Sequence, residues 1–512
     1  MRKKEITEPL AERSIIVITL IAAILLVLTT TPGHAAKHQL TDMSIMDAVE
    51  HELSMDIVVP AYRIDVIAID GIVTLSGSVD NILAKERAAR ISRIVKGVRA
   101  VVNKIEVDPP ILRTDGKIRE DVVDSLLVDP ATDSYEIRVK VEDNMVTLSG
   151  TVDSWQEKDL CETVAKGVRG VKGVNNKILI SRPKNRLDSE IKAELEKALE
   201  WDALVDHVLI DAEVKDGKVI LSGIVGSAAE KKRAYWDAYV AGVKSIDTSD
   251  LKVERWARDK DLRESKYVKK SEKEIEDAVQ GALLYDPRVS SFKVTPEVAD
   301  DGFTVILRGT VDNLKAKRAA AQDARNTVGV RQVKNRIKVR PALFLSDKKV
   351  EEKVRSALLR DPSVESHEIT VVVINGVAKL YGTVDNYFEK SQADDVASRV
   401  SGVILVDNNL VVHDDYDRYI YDPYVDDSYL HDYDWYHYRP RFPAKSDWQI
   451  KADIEDELFW SPFVDADDIT VTVNHGEATL IGSVDSWSEF NAAANNAYEG
   501  GAIYVNNDLL VE

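Results

Sequence analysis

The side chains of this chain with the clearest capacity for chemistry are basic, and they fall on two stretches with helical spacing. Lys85, Arg87, Arg90, Arg93 and Lys96 form one, with Arg99 just beyond; Lys315, Lys317 and Arg318 form the other, continued by Arg325 and Arg331. A cationic helix face of this kind suits an anionic phospholipid surface or an acidic partner. Glu86 and Asp323 dilute the runs, so an ordinary solvated helix face is the competing reading. Five aspartates recur at one position, Asp80, Asp153, Asp312, Asp385 and Asp485, and offer carboxylates to a cation. The blander role is helix capping, which Asn81, Ser154, Asn313, Asn386 and Ser486 can share. Cys161 is the single thiol, and the same offset elsewhere holds Ala88, Ala234, Ala320, Ala393 and Ala493, so it reads as a small core residue. One cysteine excludes an intrachain disulfide and a multi-thiolate metal site. No His or acidic constellation recurs beside it, so the sequence assigns no catalytic residue, no metal site and no cofactor.

Composition narrows the partners. The formal charge of −20 disfavours nucleic acid, because unspecific attraction to a polyanion needs net positive surface. Charge is also uneven: from Asp447 to Glu512 the only Lys or Arg is Lys451. Residues 413–446 differ from everything else, with eight tyrosines alternating with aspartates and with His413, His431 and His437. Their spacing matches no calcium loop or zinc motif, and the stretch reads as a Tyr/Asp-rich linker.

What must position these residues is a module written six times. Each copy has a turn of the Asp-Gly kind, a short strand ending in Gly, and then Val-Asp: Asp70-Gly71 leads to Gly77 and Val79-Asp80, and Asn375-Gly376 to Gly382 and Val384-Asp385. Gly77, Gly150 and Gly223 are 73 residues apart, and so are Gly309 and Gly382. A fixed period of this kind means that one supersecondary unit is repeated. Ile45, Val49 and Leu53 give an opening helix, and Asp129-Pro130, Asp286-Pro287 and Asp361-Pro362 end its counterparts, because proline disfavours helix in the residue before it. Alternating residues on either side of the turn give a hairpin. Ala84, Ala88, Ile91 and Val95 give a second helix, ended by Gly97 and its counterparts Gly170, Gly242, Gly329 and Gly402. Val98, Val101, Asn103 and Ile105 give a third strand. The order is αββαβ. A strand, helix, strand crossover places those strands parallel, so the sequence predicts an α+β tandem repeat of three-stranded mixed sheets, each covered by two helices.

The modules are expected at 43–107, 117–181, 187–254, 272–339, 347–412 and 447–512. Units of about 65 residues are near the lower limit for folding alone. At the N-terminus, Arg2, Lys3, Lys4 and Arg13 precede an apolar run from Ile15 to Leu28, followed by Thr29-Thr30-Thr31 and Gly33-His34-Ala35-Ala36. Residues 1–36 thus have the layout of a secretory signal peptide, and the alternative is an anchor that holds residues 15–31 in the inner membrane. Either reading exports the rest, to the periplasm in the first case, and no second long apolar run occurs.

The order αββαβ, the strand-end Gly before Val-Asp, and the helix ending in Gly-Val are together similar to the BON domain, a family named from bacterial osmotically inducible and nodulation proteins. The resemblance covers all six stretches. It implies a non-enzymatic envelope protein of Gram-negative bacteria whose domains contact phospholipid membranes or envelope proteins, with links to osmotic stress, outer-membrane integrity and periplasmic chaperoning. Module three departs from the pattern with Gly226 in place of Asp, and module six with Glu499-Gly500-Gly501 before Ala502-Ile503; these two are expected to have lost a shared ligand surface. Two functions follow. The first is a string of modules that engages phospholipid through several weak sites, with Lys85, Arg87, Arg90, Arg93, Lys96, Lys315, Lys317 and Arg318 in contact. The second is a spacer or chaperone-like protein that binds proteins and not lipid. Oligomeric state is not legible in the sequence.

Overall fold

The structure is a computed structural model that describes residues 40–110, 113–129, 137–180, 186–258, 269–286, 288–289, 291–341, 345–412 and 445–511. The N-terminal export segment and residues 413–444 of the Tyr/Asp-rich stretch lie outside the described residues.

Module one sets the pattern. Thr41 and Ser44 form a reciprocal capping box that starts the opening helix, Asp42–Met55, and Ile45, Val49 and Leu53 bury its inner face. The hairpin strands Ile64–Ile69 and Ile72–Val79 pair antiparallel around Asp70 and Gly71, both at positive φ (51° and 71°), as a two-residue turn between right-twisted strands requires. The second helix, Ile82–Arg93, returns the chain so that Ala100–Asn103 and Glu106–Val107 add parallel to the other edge of Ile72–Val79. The hairpin's second strand is therefore central in all six sheets. The third strand is interrupted in modules one, three and four and continuous in two, five and six. Each module buries its own apolar core between one sheet face and its two helices.

Three details correct the sequence reading. Module four has no two-residue turn at Asp301-Gly302; its strands end at Val298 and resume at Thr304, and Asp301 Oδ1 accepts from the N–H groups of Phe303 and Thr304 to close the longer loop. The recurrent Gly is required by a backbone carbonyl: a Cβ at Gly77, Gly309, Gly382 or Gly482 would stand 1.9–2.0 Å from the oxygen of the residue just before the first hairpin strand. The caps of the second helices are Asn81, Ser154, Asn313, Asn386 and Ser486, each accepting from the N–H three residues on, while of the preceding aspartates Asp80 pairs with Arg63 and Asp312 with Lys293.

Two other recurrences bind the module together. The first residue of five opening helices is an aspartate whose two oxygens take both N–H groups of the hairpin turn: Asp42 holds Asp70 and Gly71, and Asp115, Asp188, Asp347 and Asp447 do the same. These bonds hold the Asp447 carboxyl below its ordinary range. In the third strand, Asn103, Asn176, Asn335, Asn408 and Asn507 each donate to a carbonyl in the first turn of the second helix, which locks that helix on the sheet. The departures in modules three and six leave this frame intact. Gly226 N–H donates to Glu230 as Asp153 N–H does to Glu157, and Gly501 takes the left-handed cap at φ 105°.

The modules are joined by more than linkers. The N–H just before the cap glycine of one second helix donates to the last carbonyl of another module's opening helix: Lys96 to Trp460 (2.9 Å), Arg169 to Arg360 (2.7 Å) and Val328 to Trp201 (3.0 Å). Module one thus pairs with six, two with five, and three with four. The third pair gains a return bond from Ala203 N–H to Asn326 O (2.8 Å); the corresponding residues of modules five and six are Pro362 and Pro462, which have no N–H to give. Side chains cross as well. Ala228 of module three enters the core of module one, its neighbour Ala229 joins that of module six with Ile94, and Leu314 of module four enters that of module five. A module of this size buries a modest fraction of its surface alone, so the shared cores supply stability that each copy lacks.

Candidate functional site

The two basic faces offered by the sequence lie inside this assembly. No residue of Ile82–Arg93 or of Leu314–Arg325 is exposed; every one is buried or half-buried. Arg87 pairs with the buried Asp56 of its own module at 2.6 Å, and its guanidinium stacks 4.8 Å above the ring of Phe388 in module five. Lys96 lies 4.8 Å above the ring of Phe459 in module six. Lys315 meets Asp395 at 2.7 Å and Arg318 meets Asp394 at 2.5 Å, both in module five. Lys85, Arg90, Arg93 and Lys317 are half-buried on the same helices. Both runs abut the second helix of module five, Tyr387–Ser398, the first at Phe388 and the second at Asp394 and Asp395. Arg87, Lys315 and Arg318 are therefore committed to the interior, because a cation already paired with a buried carboxylate has no favourable exchange for a lipid headgroup at the surface.

Electrostatics in these interfaces is strong. Burial opposes charge on Asp395, yet Arg399 and Lys315 beside it hold its carboxyl well below the ordinary range. Burial pushes the Asp361 carboxyl up to about 6, against bonds from Gln392 and the Ser363 N–H. Arg169 anchors the pair of modules two and five: its guanidinium donates to Asp361 O at 2.8 and 3.2 Å and to Val364 O at 2.7 Å.

With these basic helices inside, the outer face of each sheet is one surface left to a partner. It is apolar in module five, where Ile374, Tyr381, Leu405 and Val411 are exposed, and in module one. Ile67, Ile69, Ile72 and Val102 are exposed there, Ile69 opposite Ile72, and Thr74 between Ile67 and Val102. Ile57 and Tyr62, the latter 89% exposed, stand at the approach to the same sheet. The corresponding face of module two carries Arg138, Lys140, Asn175 and Lys177, and that of module four Thr295, Glu297 and Arg308. Arg99 and Glu254 face each other beside the module-one turn at 3.7 Å. Alternation had marked these strands as half-buried, but the sequence reading took their outer residues for granted; six large apolar residues in one module were the available signal.

Among the described residues no group of His, Cys, Asp or Glu is arranged to hold a metal, and no helix is long and apolar enough to cross a membrane. The segment 15–31 lies outside them. Cys161 is fully buried in the core of module two.

The order of elements, the central second strand and the left-handed glycine caps recur six times, and the profile of the BON domain matches six times, at residues 41–109, 114–182, 187–255, 271–341, 346–414 and 446–511. The chain belongs to the BON domain family. Among curated relatives, Osmotically-inducible protein Y of Escherichia coli is 34% identical over 114 residues, which are 20% of this chain and 55% of that protein, so the likeness spans about half of the relative. Outer membrane lipoprotein DolP of Haemophilus influenzae is 28% identical over 141 residues, 27% of this chain and 72% of that protein. Among solved structures, CdsD, a structural protein of the type III secretion system of Chlamydia trachomatis, aligns at 14% identity over 41% of this chain and 91% of that one, with a TM-score of 0.12. In this BON protein the family's repeated unit is therefore present six times over, joined through its second helices.

Proposed function

We propose that this BON protein is a non-enzymatic, exported envelope protein of osmotic-stress maintenance that engages a phospholipid surface through the outer sheet face of module one. The observation that carries the reading is the exposed set Ile67, Ile69, Ile72 and Val102, with exposed Tyr62 just before the start of the strand that carries Ile67 and Ile69, on the module that follows the apolar segment Ile15 to Leu28. Aliphatic side chains with a tyrosine nearby suit the boundary between headgroups and acyl chains. Kinship to an osmotically inducible protein and to an outer membrane lipoprotein supports an envelope setting.

The magnitude sets the mode of binding. Covering roughly 300 Å² of these side chains is worth about 7 kcal/mol at about 25 cal/mol per Å². Association costs of similar size leave this face alone a weak, reversible binder. A second signal is needed, and the N-terminal segment supplies one if it stays in the bilayer, because it turns sheet docking into an intramolecular step.

Flotation with vesicles of phosphatidylethanolamine and phosphatidylglycerol tests the reading. The full chain should float, and in residues 37–512 Ile67→Asp with Ile69→Asp should lower the bound fraction several-fold while Lys85→Glu should change it little. Loss of flotation by Lys85→Glu with no effect of the sheet pair would overturn the assignment. Failure to float at all, with a protein neighbour cross-linked at residue 69, would instead favour the chaperone-like or spacer role.

A further inference from the structure

A cavity of about 540 Å³ opens where modules two, three and four meet, within the size range of small-molecule sites. Part of its wall is aromatic: Trp155, Trp201, Trp236 and Tyr239. Trp155 and Tyr239 pack at 4.7 Å between ring centroids, and Trp236 and Tyr239 at 5.6 Å, so the rings form one continuous surface across two modules. The Trp155 indole N–H donates to Val243 O at 2.6 Å, which fixes its plane. Three lysine ammonium groups already stack on these indoles, Lys158 on Trp155 at 5.0 Å, Lys232 on Trp236 at 4.6 Å and Lys270 on Trp201 at 5.1 Å, and none of the three lysines lines the cavity.

The rest of the wall is charged and out of balance. Six carboxylates line it, Asp159, Glu194, Asp202, Asp237, Asp286 and Asp323, beside three cations, Lys197, Arg233 and Arg288. Arg233 is shared between Asp202 (2.6 Å) and Asp237 (3.5 Å), and Arg288 is held by Asp286 (2.5 Å). Asp323 keeps a buried Oδ2 that meets no hydrogen-bond donor. Burial, and Asp286 close by, push the Asp323 carboxyl well above the usual carboxylate range against the pull of Arg288 and Arg233, so a further cation beside it would favour its ionised form.

We propose that this cavity binds a small organic cation of the quaternary ammonium class, its methyl groups against Trp201, Trp236 and Tyr239 and its charge toward Asp323. Three observations select that class. An aromatic wall attracts a desolvated cation through the ring quadrupole and asks no hydrogen bonds of it. An excess of carboxylate over guanidinium rejects an anion and gives a neutral apolar ligand no return for the desolvated charge. The carboxylates do not converge as metal ligands among the described residues. The site is separate from the sheet face of module one, so it stands whether or not that face binds lipid.

Calorimetric titration and thermal denaturation of the full chain test the proposal, with choline chloride, its neutral isostere 3,3-dimethylbutanol and phosphatidylcholine vesicles as probes. Choline should bind saturably and raise the melting temperature, because a ligand bound only by the folded state stabilises it. The isostere should bind at least about tenfold more weakly, a factor worth about 1.4 kcal/mol. Asp323→Asn should keep the fold, since it removes a repelled carboxylate, and weaken choline about tenfold; Trp236→Leu, at a partly exposed ring, should do the same. Saturation by free choline assigns a free ligand, and saturation by the vesicles alone assigns a lipid headgroup; both support the cation site. Equal responses to choline and the isostere, no response to choline or vesicles, or choline binding unchanged in Asp323→Asn and Trp236→Leu would each overturn it.

Discussion

Replacing Arg169 by alanine probes the joint between modules two and five at a single side chain. The guanidinium donates to Asp361 O and to Val364 O across the interface, while the backbone N–H of Arg169 bonds to Arg360 O and survives any substitution. A hydrogen bond with one charged partner contributes about 1.5–3 kcal/mol net, so two carbonyls lost from a half-buried site cost about 3 kcal/mol at the lower end. Water that reaches the vacated carbonyls reduces the loss, and the fork geometry of arginine increases it. Arg169→Lys keeps the charge but reaches one carbonyl at a time, so about half of the cost should return. Urea unfolding of the full chain measures both, with amide hydrogen exchange locating the change. Faster exchange should appear at the end of the opening helix Asp347–Arg360 and in Asp361 to Val364, in a different module from the substitution. A loss below about 0.5 kcal/mol, the range of an ordinary surface change, or faster exchange confined to module two, would refute the reasoning.

Other outcomes follow from the same geometry. Asp361 titrates at about 6 in the folded chain against 3.8 in the unfolded one, so the folded state binds more protons between those values and stability falls as pH rises through 6. Two pH units correspond to about 3 kcal/mol, so Asp361→Asn should stabilise the chain at pH 7 by up to that amount and flatten its response between about pH 4 and 6; an unchanged slope in urea midpoints would contradict this. Asp159, pushed to about 6 mainly by burial, should leave a residual slope of the same sign. Lys315→Glu, placed against Asp395, should cost about 3–5 kcal/mol as an uncompensated buried charge, read as a lowered melting temperature. Gly382→Ala, whose Cβ would stand 1.9 Å from Glu368 O at φ 134°, should cost about 3 kcal/mol or more, whereas Gly116→Ala, in open space on a helix, should gain about 0.5–1 kcal/mol; urea midpoints moving the same way in both would refute the distinction.

The module was readable because its signals are local. Asp70-Gly71 needs positive φ, Ala88 lies on the buried stripe of a 3.6-residue period, and Gly97 caps a helix; each constraint acts within a few residues of its signature. The aspartate at the head of five opening helices was equally visible as a repeat, but its task, gripping a turn 28 residues away, depends on tertiary approach. The pairing of modules left no comparable mark. It uses backbone groups at Lys96, Arg169 and Val328, where side-chain identity is nearly irrelevant, and the prolines that limit it read only as helix stops. The internal partners of the basic helices were hidden for the same reason. Lys315 and Arg318 look like a solvated cationic face until Asp394 and Asp395, about 80 positions away in sequence, are brought against them. The apolar residues of the module-one sheet were overlooked because alternation is read for what it buries, while Ile67 and Ile69 matter for what they leave outside.

The account rests on six modules forming one body, with one against six, two against five and three against four, since that packing turns the basic helices inward and leaves sheet faces outward. Small-angle X-ray scattering of residues 37–512 in dilute solution measures it most directly. A compact chain of this length has a radius of gyration of about 23 Å, and the 413–444 stretch should add only a few ångströms. A value below about 30 Å is the expected result. A value above about 40 Å, as for six modules strung on flexible linkers, would contradict the packing and return the basic helix faces to solvent.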